Sequence, residues 1–269
     1  MNASARRATR VTTLWRTLAG DRSRQVLTLT AAAAQVLLPT LWGPRFAEDE
    51  QPPNVIQPAP YTFAVWLPIF ASSMGYAGLQ ARDAGRDSEL MRAIGWPLAG
   101  AFASTGVWAP LVRTRKYWPA QAALGAIAVF AETARRRVAR AQPPETDRAV
   151  NASSTLTAGM LAAWAVTATG VNLASMLASK GLLPAGRRRT SASVGFLLGL
   201  GAVGAAATSS TGKAPVSKVY AATLIWGLTG VIAGQHKQSP VSAIAAGAAM
   251  VPILFAATRP SARDTTTPA

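Results

Sequence analysis

The stretch "PYTFAVWLPIFASSMGYAG", residues 60–78, opens with the aromatics Tyr61, Phe63, Trp66 and Phe70, passes Pro68, and then turns small with Ser72, Ser73, Gly75 and Gly78. It lies in an uncharged run over 60–81, and about 20 mostly apolar residues suffice to cross a bilayer. A helix that met only lipid would need nothing but leucines. The tryptophan and the small residues must therefore meet something else.

Further uncharged runs cover 25–42, 93–112, 117–131, 149–179, 190–212, 219–236 and 238–258, which makes eight predicted spans. Only 14% of the residues are charged, against about 25% in soluble domains, and apolar runs of this length recur too often for a soluble helical protein. The predicted class is all-α, a polytopic transmembrane bundle of about eight helices. Its organisation is a basic N-terminal segment (1–24), a five-helix core (25–179), a three-helix extension (180–258) and a polar tail (259–269). The boundary near 180 is set by the basic break "KGLLPAGRRRT". Residues 43–59, with four prolines and the acids Glu48, Asp49 and Glu50, form an irregular loop between the first two spans. Residues 132–150 form a long basic connection.

The net charge of +16 resides in the connections. With the N-terminus cytoplasmic, 18 of the 27 Lys and Arg fall inside and nine outside, which places both termini inside. The Arg113–Lys116 and Arg187–Arg189 clusters oppose that orientation. The bases are thus topology signals, and nucleic acid is not an expected partner. Before residue 25, Val11, Leu14, Trp15 and Leu18 fall at helical spacing, which suits an amphipathic segment on an anionic membrane surface. The first apolar run lacks a small-x-small cleavage site, and Arg6-Arg7 lacks the hydrophobic residues of a twin-arginine signal. The expected location is a bacterial plasma membrane, although an organellar transit peptide would have a similar composition.

The chemistry available at membrane depth is narrow. There is no cysteine, the only histidine is His236 in a basic loop, and none of the 11 acids lies within a predicted span. Ion-coupled transport and divalent-metal catalysis would place ionisable groups there. No paired-carboxylate, Ser-His-Asp or phosphate-loop pattern occurs, so no catalytic residue and no metal ligand is assigned. What remains is aromatic and small-polar. Phe63, Trp66, Phe70, Ser73 and Ala77 share one helical face, with Ala71, Gly75 and Gly78 on an adjoining stripe suited to a neighbouring helix. On the third span Thr105 and Trp108 lie together, and on the fifth Trp164, Ala168 and Asn172 repeat at every fourth position. Asn172 is expected either to bond across to a neighbouring helix or to touch a ligand. Gly195 and Gly199 form a GxxxG pair suited to close helix approach. Trp15, Trp42, Trp118 and Trp226 read as interfacial anchors, whereas Trp66, Trp108 and Trp164 lie deeper. Such a lining suits a flat apolar ligand with a few polar edges. Ordinary helix packing gives the same pattern, so the residues alone leave both open.

These same positions resemble the TspO/MBR family of tryptophan-rich sensory and translocator proteins. The family's second helix runs proline, aromatic, phenylalanine, Val-Trp and later Met-Gly; here these are Pro60, Tyr61, Phe63, Val65-Trp66 and Met74-Gly75. Its third helix has a polar residue three before a tryptophan, matched by Thr105 and Trp108. Its fifth has a tryptophan followed eight residues later by asparagine, matched by Trp164 and Asn172, with Thr167 and Val171 departing from the usual Phe and Leu. The resemblance covers about 25–178 and likens the last three helices to the extension of longer bacterial members. The tryptophans and Lys-Pro of the family's first loop are missing from 43–59, and Ala101 and Thr105 replace its usual helix-three amides. The resemblance implies binding of haem or protoporphyrin, or of a sterol-like molecule, by Tyr61, Phe63, Trp66, Phe70, Thr105, Trp108, Trp164, Ala168 and Asn172. Trp66 and Trp164 would then face each other across a pocket. No cofactor is required for this role, and the partners it allows are membrane lipid, that small molecule and a second copy of the chain. It also admits an enzyme that modifies porphyrin with light or oxygen.

Overall fold

Proline, serine and aspartate punctuate the chain where its helices begin. The computed structural model describes residues 20–42, 56–141, 147–182, 187–212 and 214–259. The basic N-terminal segment, most of the first loop and the polar tail lie outside the described residues. Within them the long helices are α1 (Asp21–Trp42), α2 (Trp66–Ala81), α3 (Glu89–Arg113), α4 (Tyr117–Arg140), α5 (Arg148–Ser179), α6 (Arg187–Ser209), α7 (Pro215–Gln235) and α8 (Pro240–Thr258). A 3-10 segment, Pro60–Val65, runs directly into α2, and no strand occurs among the described residues. The Ser88 hydroxyl accepts from the Met91 amide to start α3, and the Asp147 carboxylate accepts from Ala149 and Val150 to start α5. Proline opens the 3-10 segment, α7 and α8, where its missing N–H is not needed.

Five segments are long and apolar enough to cross a membrane: Pro60–Ala81, Arg148–Ala178, Arg188–Ser209, Pro215–Gln235 and Pro240–Thr258. The chain is an all-α integral membrane protein. The other three predicted spans form helices of sufficient length, 22, 25 and 24 residues for α1, α3 and α4. Neighbouring helices close a ring in the order α1, α2, α5, α4, α3, with α7 laid against α5 and with α6 and α8 packed on α7 and on each other. Inside the ring Ile69, Met91, Ile94, Leu98, Ile127 and Leu161 are fully buried. Tyr76 of α2 and Phe102 of α3 meet edge-on across its interior, with centroids 6.5 Å apart.

Four expectations change. Helix α4 continues to Arg140, through residues read as loop, because Glu132 pairs with Arg135 and Arg136 one turn on, at 2.6 and 2.7 Å. Arg135 is not a solvated topology signal: its side chain is fully buried, donates to the Ala207 carbonyl and the Thr211 hydroxyl at 2.9 and 2.6 Å, and lies 4.6 Å over the Tyr220 ring. It joins α4 to the end of α6 and to α7. Similarly, α1 begins at Asp21, and Arg24, placed by the sequence in the basic leader, is 2% exposed and bonded to Asp21 and the Met91 carbonyl. Gly95 makes room for it, since a Cβ there would meet the Arg24 side chain at 2.6 Å. Finally, a Cβ on Gly195 or Gly199 would meet nothing within 4 Å among the described residues, whereas Gly201 packs on Ala249 and Gly204 on Leu224 and Ile253. The helix contacts of α6 use the other glycine pair.

Candidate functional site

The 3-10 segment sets the aromatics of the opening stretch. With about three residues per turn rather than 3.6, it turns Tyr61 and Phe63 to different neighbours before α2 takes over at Trp66. Tyr61 stands edge-on to Trp226 of α7 (5.8 Å, 80°). Phe63 stands edge-on to Trp164 of α5 (5.7 Å, 86°). Trp66 meets the same Trp164 edge-on (6.2 Å, 83°) and stacks on Phe70 (5.2 Å, 29°). Phe63, Trp66, Phe70 and Trp164 therefore form one cluster joining α2 to α5. Trp164 is buried, Trp66 and Phe70 partly so, and Phe63 exposed. Edge-to-face pairs of this kind contribute about 0.5–1.5 kcal/mol each beyond area burial. The two tryptophans touch rather than face each other across a gap, which corrects the expected geometry.

Below the cluster the same two faces become polar. Ser73 follows Trp66 by seven residues, and Thr157 precedes Trp164 by seven. Seven residues are two helical turns, about 10 Å of rise, so on these antiparallel helices the two hydroxyls lie at a common depth. Both are fully buried and neither finds a hydrogen-bond partner among the described residues; the hydroxyls of Tyr76 and Ser154 and both amide atoms of Gln35 share that condition. Unsatisfied polar groups at membrane depth cost several kcal/mol each, so these atoms call for a polar partner. The sequence reading missed Tyr76, Ser154, Thr157 and Gln35. For Thr157 the signal was present, as it shares the stripe of Trp164 and Ala168.

The other expected site residues are placed apart. Thr105 is buried and its hydroxyl donates to its own helix at Ala101, 2.9 Å away. Trp108 packs partly buried against the core, outside the ring contacts that unite the cluster. Ala168 is partly buried, one turn beyond Trp164. Asn172 is exposed and its amide donates back to the Ala168 carbonyl at 2.9 Å. Among the described residues it makes no bond across to another helix and instead bonds back to its own turn. Asn172→Leu should accordingly change thermal stability of the solubilised protein by no more than about 0.5 kcal/mol; a larger loss in a melting experiment would reinstate an interhelical role.

The small residues of α2 face a groove of about 490 Å³ on the side away from the core, lined by Ser72, Met74, Gly75, Gly78 and Leu156, with Arg82 at one end. Gly75 looks at Ser153 of α5 from 4.0 Å, but Gly78 has nothing within 4 Å, so only one of the two glycines meets a helix. Trp118 is exposed in the first turn of α4. Trp226 is more than an interfacial anchor: its indole N–H donates to the Thr62 carbonyl at 2.9 Å. Trp15 and the side chain of Trp42 lie outside the described residues. Among the described residues no three His, Cys, Asp or Glu side chains gather to hold a metal, and His236 is exposed.

A family model described as TSPO-like protein matches residues 27–258, a span that takes in the ring and all three helices beyond it. No curated protein and no solved structure matches the chain at a significant level.

Proposed function

Starting from a chain that belongs to the TSPO-like protein family, we propose a membrane-embedded binding protein for a flat, largely apolar ligand with a polar edge. A tetrapyrrole such as haem or protoporphyrin is the leading class, and the role is that of sensor, carrier or scavenger. One observation carries this reading: the α2 and α5 faces that bring Phe63, Trp66, Phe70 and Trp164 together also bear, two turns deeper, the buried and unpartnered hydroxyls of Ser73 and Thr157. Rings supply dispersion and stacking to an apolar plane, and hydroxyls suit its polar rim. Packing alone would favour apolar side chains at Ser73 and Thr157, since a buried hydroxyl without a partner is destabilising.

Titration of the purified protein with protoporphyrin and with haem tests the proposal. Saturable quenching of tryptophan fluorescence is the expected result; no quenching by either pigment would defeat it. A second reading, conversion of bound pigment under light, draws on the ring contact between Trp66 and Trp164, the redox-active side chains nearest such a ligand. Absorbance of the complex before and after illumination separates the two.

Both termini are proposed to be cytoplasmic, in a bacterial plasma membrane. The distribution of basic residues supports this orientation even with Arg24 and Arg135 set aside as buried, since 16 bases then remain inside against nine outside. Reporter fusions after residues 50 and 141 should read outside and inside respectively; the reverse order would invert the topology.

A further inference from the structure

The three-helix extension reaches the segment that leads into the aromatic cluster. Helix α7 lies along the described end of the first connection, residues 56–65, and holds it by side chain and by backbone. The Ala59 amide donates to the Gly230 carbonyl at 2.9 Å. The Trp226 indole donates to the Thr62 carbonyl and the Gln235 amide to the Gln57 carbonyl, each at 2.9 Å. These bonds bring protein donors to carbonyls of an irregular segment.

Close approach is what makes these bonds reach. A Cβ on Gly230 would collide with the Thr62 side chain, and one on Gly234 would come within 2.6 Å of the Gln57 carbonyl. The two glycines are four residues apart, one turn, on a single face of α7. Glycine at this spacing lets backbones approach, and here the partner is an irregular strap rather than a second helix. Between them lies Val231, fully buried, and one turn before Gly230 stands Trp226, which adds its edge contact to Tyr61. Sequence reading had singled out the glycines of α2 and α6 but not these.

We infer that α7 is the positioning element of the aromatic cluster, with Trp226, Gly230 and Gln235 as its positioning residues. They fix the strap that delivers Phe63 and Trp66 to Trp164 from the outer end of the ring. Tyr61 and Phe63 lie on either side of Thr62, the residue that α7 grips by both its carbonyl and its side chain. A strap released there would let both rings swing. That the held rings then serve a ligand rests on the binding reading above; the holding itself does not.

Hydrogen exchange of the full-length protein, read by peptide and without ligand, tests the holding. In Gly230→Val, exchange over 56–66 should rise at least about tenfold, the scale of more than one lost hydrogen bond, with α3 and α4 unchanged. Trp226→Phe keeps an aromatic ring against Tyr61 and removes only the indole donor; about a threefold rise over the same peptides is expected. Gly230→Ala should loosen the strap less, and Thr62→Ala in that background should restore protection, because it removes the hydroxyl and methyl that the new Cβ meets. A general weakening of α7 would not be rescued in this way. Unchanged exchange over 56–66 in Trp226→Phe and Gly230→Ala would overturn the inference, whatever the pigment titration gives. If Gly230→Val fails to fold, those two milder variants decide. Should pigment bind, its dissociation rate should increase in Trp226→Phe at an unchanged melting temperature; an unchanged rate would confine α7 to a structural role.

Discussion

Trp66→Leu and Trp164→Leu proteins should each bind protoporphyrin about threefold to tenfold more weakly than the parent. The estimate follows from the about 0.5–1.5 kcal/mol that a stacked or edge-on ring contributes beyond the area it buries, with 1.4 kcal/mol equal to a factor of ten. Leucine keeps each helix apolar, so the substitution removes the ring and little else. Trp164 should show the larger effect, since it receives both Phe63 and Trp66 and is the more buried. The double variant should lose less than the sum of its parts, because residues in contact couple through shared neighbours. Trp118→Leu is the proper control, its ring being exposed at the start of α4. Trp226→Leu is not, given its bond to the Thr62 carbonyl. Equal binding by all these variants would reduce the tryptophans to packing.

Glu132→Gln should lower stability by about 3–5 kcal/mol, the usual consequence of stripping the counter-charge from a buried ion. Arg135 is fully buried, and Glu132 meets it through both carboxylate oxygens at 2.6 and 2.7 Å. The amide that replaces the carboxylate can accept one of those bonds but cannot neutralise the guanidinium. Arg136→Gln makes the comparison, because Arg136 binds the same carboxylate from an exposed position. There the loss should stay within about 1 kcal/mol. Thermal unfolding of the two solubilised variants measures the difference. Equal shifts would mean that water reaches Arg135, and that the pair does not hold α4 against α6 and α7.

Hydropathy made most of the helices legible because an uncharged run about as long as a bilayer is thick has few alternatives, while the short run at 117–131 was the weakest of the eight. Their ends were less so. Charge patterning was read as a boundary at residue 132, yet α4 continues for two more turns, since Glu132 and the arginines after it are compatible with helix and are stabilised by i+3 and i+4 pairing. Arg24 and Arg135 were invisible as buried residues for a related reason. Counting bases by position treats each as solvated, and only tertiary structure reveals that Gly95 leaves space for one and Tyr220 a ring for the other. At the site, helical spacing put Trp66 and Phe70 together, which stack, whereas Phe63 sits in the 3-10 segment and joins them through Trp164, brought in by the approach of α2 to α5. Asn172 misled because an amide looks the same in sequence whether it bonds across a gap or back to its own turn. The α7 glycines could not have been singled out, because the strap they accommodate lies far away along the chain.

That distance has a consequence for how the molecule comes into being. The bonds that tie residues 57 and 62 to α7 join positions 178 and 164 apart. At about 5–20 residues per second, synthesis needs on the order of 10–30 s to deliver the second partner after the first has emerged. In the last part of that interval, once α5 has followed, the nascent chain can assemble its ring while the Thr62 carbonyl waits for an indole that does not yet exist. Contacts so remote in sequence are entropically the last to close, so the strap beside the aromatic cluster acquires its final register only after α7 has been made.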